Sequence, residues 1–169
     1  MKNTIADLTI ANEIERTASS GAKLFARIGG RPTMDRVHRI FYQKIYEHPW
    51  LQKYFDGISR EHVTNQQSDF MQGLFGGEKH YNGRMPIDAH MHMMITEELF
   101  DVRHGLLRDS LIAAGVKDPE LSDWLKIDNA FRKALVKPSL GDCKKRFNTD
   151  EIIDHPNPSG ATGKNRSAA

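Results

Sequence analysis

Residues 88–96 read Asp88-Ala89-His90-Met91-His92-Met93-Met94-Ile95-Thr96, two histidines among methionines between two helix starts. Upstream, Pro86 suits the first turn of a short helix, where its missing N–H costs nothing. Downstream, Thr96 with Glu98-Leu99 begins a longer helix. It carries Phe100, Leu106 or Leu107, Ser110-Leu111 and Ala114, and Gly115 stops it. On a helix, His90 and His92 project roughly 200° apart at ~100° per residue, so one pocket receives one of them. His90 shares its side with Ile87, Met93 and Met94, whereas His92 shares its side with Asp88 and Thr96. The first side is the drier. Burial suits a neutral imidazole ligand, and methionine packs adaptably around it. This favours His90 and leaves His92 as the alternative. Two ordinary boundary histidines fit the spacing equally well.

Working outward, helical periodicity recurs and strand signals do not. Ala22 to Ile28 forms a short helix stopped by Gly29-Gly30. Pro32 opens the next, which carries Met34, Val37, Phe41 and Ile45 and ends before Pro49. Trp50, Leu51, Tyr54 and Phe55 make an apolar corner closed by Asp56-Gly57. Ser59 is an N-cap for a helix whose face runs Val63, Gln67, Phe70, Met71 and Leu74 up to Gly76-Gly77. Asp118-Pro119-Glu120 starts a last helix through Trp124, Leu125, Ala130 and Leu135, ended by Pro138. No sustained alternation marks a strand. The fold class is all-α, with the folded unit over 22–138. Residues 1–21 form an N-terminal extension with a weak helical pattern over 5–16. Residues 139–169 form a polar C-terminal extension, largely irregular or disordered, with the composition of disorder from 154 on.

The bulk numbers narrow the function. At 169 residues the chain suits one domain with a real core. Lys+Arg is 24 against Asp+Glu 22, a net charge of +2, and no basic run is interleaved with aromatics. That argues against a nucleic-acid partner. No apolar stretch spans a bilayer, and the N-terminal residues lack a signal-peptide core, so no membrane is expected and the cytoplasm is the expected location. Cys143 is the single cysteine, which excludes an internal disulfide and a cysteine-built metal site. Gly29-Gly30 and Gly76-Gly77 lack the pattern of a phosphate-binding loop.

Polar groups interrupt the apolar stripes in two places. Gln67 sits one turn from Val63 and Met71, and Tyr42 flanks the Phe41/Ile45 stripe. A buried amide or phenol without a partner costs roughly 1–3 kcal/mol, so each bonds another protein group or serves a ligand. Tyr42 and Gln67 can satisfy each other, or jointly donate to a diatomic molecule. Gln66, about 100° round the helix, reaches the same rim or faces water. Phe55, Phe70, Phe100, Met71, Met93 and Met94 can line a flat apolar cavity, and equally can be plain core. Lys79, Tyr81 and Arg84 lie just before the His90 helix, where cationic and hydroxyl groups can pair with carboxylates of a bound group. One imidazole, an apolar cavity and distal donors suit a haem.

The ordered set resembles the truncated, two-on-two haemoglobin family from about Leu24 to about Val136. It comprises Leu24-Phe25-Ala26-Arg27-Ile28-Gly29-Gly30, Phe41-Tyr42, Tyr54-Phe55-Asp56-Gly57, Gln67, Leu74-Phe75-Gly76-Gly77, Tyr81-Asn82-Gly83-Arg84, Ala89-His90, Ile95-Thr96 and Phe100. It is most similar to the first group of that family, having the glycine pairs and no distinctive tryptophan in the helix after the ligand histidine. The resemblance implies a two-over-two helical sandwich around haem b, with His90 as the iron ligand. It implies Tyr42 and Gln67 as distal hydrogen-bond donors and Phe55 as a ring packed on the porphyrin. Val63 stands where some members carry a distal polar group, so that bond is expected to be lost. Gln66 stands where some carry a second iron-ligating histidine, so a pentacoordinate or water-bound iron is expected. Phe70 and Met71 stand where members line or gate a tunnel. Met94, Ile95 and Phe100 complete the expected haem-contacting set with Lys79, Tyr81 and Arg84.

The expected function is reversible binding of O2 for storage or delivery, with NO and CO as further ligands. Two alternatives use the same pocket. Nitric oxide dioxygenation would make the protein an enzyme and require a reductase. A sensor or redox role would use the terminal extensions to bind a partner.

Overall fold

The computed structural model describes residues 10–12 and 23–160. Residues 10–12 are helical, and the rest of the helix expected over 5–16 lies outside the described residues. The bounded helices are α1 (Leu24–Arg27), α2 (Arg31–Glu47), α3 (Arg60–Leu74), α4 (Pro86–His90), α5 (Glu97–Ala113), α6 (Glu120–Ala130) and α7 (Arg132–Leu135). Short 3-10 turns occupy Leu51–Phe55 and Leu140–Asp142. Among the described residues the single sheet-like pairing is an isolated parallel bridge between Met93 and Ile153. None of the described helices is long and apolar enough to cross a membrane.

Helix α2 packs on both α3 and α5, and α5 packs on α6, so two helices lie over two. The reason is written into α2. Met34, Val37, Phe41 and Ile45 recur at three- and four-residue steps and are all buried. They meet Leu107 and Leu111 of α5 and Trp124 and Ile127 of α6 in one core. Each such side chain contributes about 1.5–3 kcal/mol on full burial, which outweighs the weak intrinsic stability of short helices.

Helix ends follow the expected chemistry. The Ser59 hydroxyl accepts from the His62 N–H, and the Thr96 hydroxyl accepts from the Leu99 N–H. Pro86 sits in the first turn of α4 and Gly115 (φ 81°) ends the chain direction of α5. The Gly76-Gly77 pair does more than stop α3. Gly76 has φ 90°, and a Cβ there would stand 2.4 Å from Lys23 Cδ. A Cβ on Gly77 would stand 2.8 Å from the Phe25 ring and from Gln72 Cγ. The pair lets α1 lie directly against the end of α3, joined by the Phe25 N–H to the Phe75 carbonyl at 3.0 Å.

Two elements differ from expectation. The helix expected through Leu135 breaks at Phe131, which is buried in the core and serves as the hinge between α6 and α7. The break turns α7 onto α4. On α3, the buried residues are Ser68, Met71 and Gln72, while Val63, Gln67, Phe70 and Leu74 stay half-exposed. Ser68 and Gln72 are buried because they are satisfied. The Ser68 hydroxyl meets His38 Nδ1 at 2.8 Å, and Gln72 bonds Arg31 and the Glu78 carbonyl.

Candidate functional site

Helix α4 is one turn long, and its last residue is His90. The His90 Nδ1 lies 2.7 Å from the Pro86 carbonyl oxygen. A carbonyl has no proton to give, so Nδ1 is the donor and Nε2 keeps its lone pair. Burial pushes the ring's pKa down to about 4, with the Arg103 and Lys137 charges acting in the same direction. The imidazole is therefore neutral at neutral pH with its tautomer fixed, as a metal-ligating histidine requires. The Lys137 ammonium holds the His90 carbonyl at 3.1 Å.

His90 and His92 do not share a helix, so the expected division into a drier and a wetter side does not hold. The helix ends at His90, so His92 lies on a turn. His92 is the deeper of the two, 2% exposed, and its Nδ1 has no hydrogen-bond partner among the described residues. Its backbone carbonyl accepts from the Ile153 N–H at 2.9 Å. What distinguishes His90 is the locked tautomer, not the deeper burial.

Tyr42 projects from α2 into the core, its ring edge-on to Phe41 (5.2 Å) and to Phe55 (6.0 Å). Its hydroxyl makes no hydrogen bond to any described residue. Burial raises its pKa to about 12, so it remains a proton donor at every physiological pH. Gln67 is half-buried on α3, and its amide is likewise unbonded among the described residues. The mutual Tyr42–Gln67 bond is not formed. Gln66 is exposed.

Among the apolar candidates, Met71, Met94 and Phe100 are buried, and Phe55, Val63, Phe70 and Ile95 are half-buried. Phe70 meets the rings of Tyr81 (5.3 Å) and Phe131 (6.0 Å). The loop cations do not converge. Lys79 is exposed. Arg84 is exposed with its guanidinium 5.9 Å from the centre of the Phe147 ring, and the Tyr81 hydroxyl donates to the Arg84 carbonyl at 2.6 Å.

Sequence reasoning missed a charged cluster beside these groups. Arg103 of α5 donates to both carboxylate oxygens of Asp128 at 2.5 and 2.7 Å, and His104 Nδ1 meets the same carboxylate at 2.7 Å. Arg103 also lies over Phe41, 5.1 Å from the ring centre, and its charge reaches both Tyr42 and His90. A second omission is His38, buried, bonded to Ser68 and edge-on to Trp124 at 5.6 Å. Burial pushes its pKa down to about 3. Arg103 and Asp128 lie 25 residues apart, so no local pattern exposes the pair.

The residues present suit a haem: one neutral imidazole with a free Nε2, and a protonated phenol and an amide without partners among the described residues. Among the described residues no cluster of three His, Cys, Asp or Glu side chains offers a metal site built from protein alone.

Comparison with known proteins identifies the family. The family profile described as bacterial-like globin matches residues 23–137. The group 1 truncated haemoglobin of Tetrahymena thermophila is 31% identical over 110 residues, covering 65% of this chain and 91% of that protein. The group 1 truncated haemoglobin GlbN of Mycolicibacterium paratuberculosis is 30% identical over 62% of this chain and 76% of its own length. The crystal structure of the Fe(III) form of Tetrahymena pyriformis truncated haemoglobin superposes with a TM-score of 0.61 at 28% identity. That match covers 67% of this chain and 97% of that one. The chain thus belongs to the bacterial-like globin family, among the truncated haemoglobins, a family of haem-based ligand-binding proteins.

Proposed function

We propose that this protein reversibly binds O2, and other diatomic gases such as NO and CO, at a haem b held through His90 Nε2. Bound haem supplies an iron with an open coordination position for a diatomic ligand. The chain supplies the rest. The Pro86 carbonyl fixes the His90 tautomer, and desolvation keeps the ring uncharged. Phe55, Val63, Phe70, Met71, Met94, Ile95 and Phe100 exclude water from the cavity. Lys79, Tyr81 and Arg84 are the groups near which haem carboxylates would emerge.

The observation that carries this reading is the Tyr42 hydroxyl, a donor held protonated within the core without a described partner. No described residue accepts from this hydroxyl, so it is left to donate to a ligand. Gln67 is the second donor, and Gln66, on the exposed rim, is the outermost of the three. Donors aimed at a ligand that gains negative charge on binding slow its release. Removing the Tyr42 hydroxyl should therefore raise the O2 off-rate by about tenfold or more, the worth of one charge-assisted hydrogen bond. Stopped-flow displacement of O2 from Tyr42→Phe checks this, and an unchanged off-rate contradicts it.

The same pocket would support nitric oxide dioxygenation if a reductase returned the iron to the ferrous state. Nitrate formation under turnover with a reductase distinguishes that activity from simple carriage. A free Cys143 suits the reducing cytoplasm, where we place the protein.

A further inference from the structure

We infer that the C-terminal segment 143–157 is a positioning strap for the loop that carries the iron ligand, residues 90–95. This rests on the reading of His90 as the haem ligand. The segment lies beyond the residues that define the family match, which end at 137.

The bonds between strap and loop are backbone bonds at consecutive points. The Lys144 N–H donates to the Met91 carbonyl at 2.8 Å. The Ile153 N–H donates to the His92 carbonyl at 2.9 Å, and the Met94 N–H returns a bond to the Ile153 carbonyl at 2.8 Å. These two form the Met93–Ile153 bridge. One residue before α7's exit reaches Pro138, the Lys137 N–H also bonds the Ile95 carbonyl at 2.9 Å. Every residue from His90 to Ile95 except Met93 thus has a backbone group held by a partner from residues 137–153, and Met93 faces Ile153 across the bridge.

Side chains close the strap onto the rest of the fold. The Trp50 indole N–H donates to the His155 carbonyl at 2.6 Å. The Tyr54 hydroxyl lies within 3.3 Å of both the Met94 and His155 carbonyls and accepts from the His155 N–H at 3.2 Å. Cys143 Sγ lies 4.0 Å from Met94 Sδ, and Asn157 bonds Glu98 at the start of α5. Internally, Arg146 grips Asp150 through both carboxylate oxygens. Composition predicts an irregular chain from 139 and disorder from 154. It is irregular, yet His155 and Asn157 are bonded to the helical core, through Trp50 and Tyr54 a hundred residues away and through Glu98.

The consequence is mechanical. Helix α4 is a single turn and the chain from Met91 to Ile95 has no helix to hold it. A ligand histidine keeps its geometry only when its support is fixed. In this chain the strap supports Met91, His92 and Met94, while Lys137 holds His90 and Ile95. The strap's positioning residues are Ile153, through its amide and carbonyl, and Trp50, through its indole.

The test uses the full-length, haem-loaded chain with Ile153→Pro, which removes the amide that holds the His92 carbonyl. Ile153→Val keeps the amide and serves as the conservative variant. Trp50→Phe keeps an aromatic ring in the core, removes the bond to His155 and shortens the buried side chain, and it stands in if Ile153→Pro fails to fold. Three readouts are taken: exchange of the Met94 amide, with and without haem; the iron–histidine stretching band of the ferrous protein; and haem transfer to an excess of a haem-free acceptor. The strap predicts that Ile153→Pro or Trp50→Phe speeds Met94 exchange by about tenfold. It also predicts a shifted or broadened iron–histidine band and haem transfer faster by severalfold, with Ile153→Val like wild type. Faster Met94 exchange with an unmoved band and an unmoved transfer rate overturns the proposal. Unmoved exchange overturns it as well. Failure of the underlying reading looks different: His90→Gly would then keep the wild-type band, and that result removes both.

Discussion

At the scale of single residues, buried charge makes the sharpest demands. Asp128 is buried and holds both Arg103 and His104. Taking away Arg103 strands a carboxylate in the core. Arg103→Met should cost ~3 kcal/mol, the low end for a broken buried pair because Arg103 keeps 26% of its side chain accessible. Asp128→Asn added to it should recover part of the loss, and chemical denaturation of the three proteins measures both steps. None of this was legible in the sequence, because Arg103 and Asp128 lie 25 residues apart on different helices. In the sequence Gln67 stands out because it interrupts an apolar stripe, Tyr42 because it flanks one, and His90 because it lies among methionines. The ground for choosing His90 over His92 was not legible. That choice assumed both lie on one helix, and a helix of one turn ends too soon for the angle between them to hold.

Helix positions were legible wherever a stop or start signal is chemical: Pro32, Ser59, Pro86, Thr96 and Gly115 each mark an observed boundary within a residue or two. The break at Phe131 was hidden, since nothing local forbids helix there and the turn is imposed by packing α7 on α4. The glycine pair shows what a stop signal leaves out. Gly77→Ala should destabilise the protein by about 1–3 kcal/mol, because the added methyl meets the Phe25 ring and the Gln72 stem at 2.8 Å. Gly76→Ala should cost more, since it adds strain at φ 90° to a contact with Lys23. Thermal melts of the two variants rank them, and Gly57→Ala, with open space around its Cβ position, separates strain from crowding.

At the scale of the whole molecule, stability should fall on acidification well before the carboxylates titrate. His38 is held neutral, its pKa lowered from 6.5 to about 3 by burial and by the Arg103 and Arg31 charges, with Asp128 opposing. The unfolded chain takes up that proton below pH 6.5 while the folded one does not, so folding stability drops from pH 6.5 toward about 3. Asp128 adds to the trend at lower pH. Its pKa lies below 3.8, so its contribution is intact above that value and is lost as pH falls through the folded value. His38→Gln should flatten the slope of stability against pH by about one proton between pH 6 and 4. Denaturant titrations at several pH values measure that slope. The all-α class was legible from periodicity, and the two-over-two arrangement only through the family resemblance. The docking of the segment after 139 was not, because its bonds are made by backbone groups and by side chains such as Trp50 and Tyr54 a hundred residues away.

The central claim is that the Nε2 of His90 holds a haem iron. Absorption spectra of the ferric, ferrous and ferrous–CO forms of wild type and His90→Gly test it most directly. Wild type should bind haem stoichiometrically and give an intense Soret band that shifts with CO, and His90→Gly should lose the haem or recover a wild-type-like spectrum only when free imidazole is added. A His90→Gly protein whose three spectra match wild type without imidazole would contradict the account.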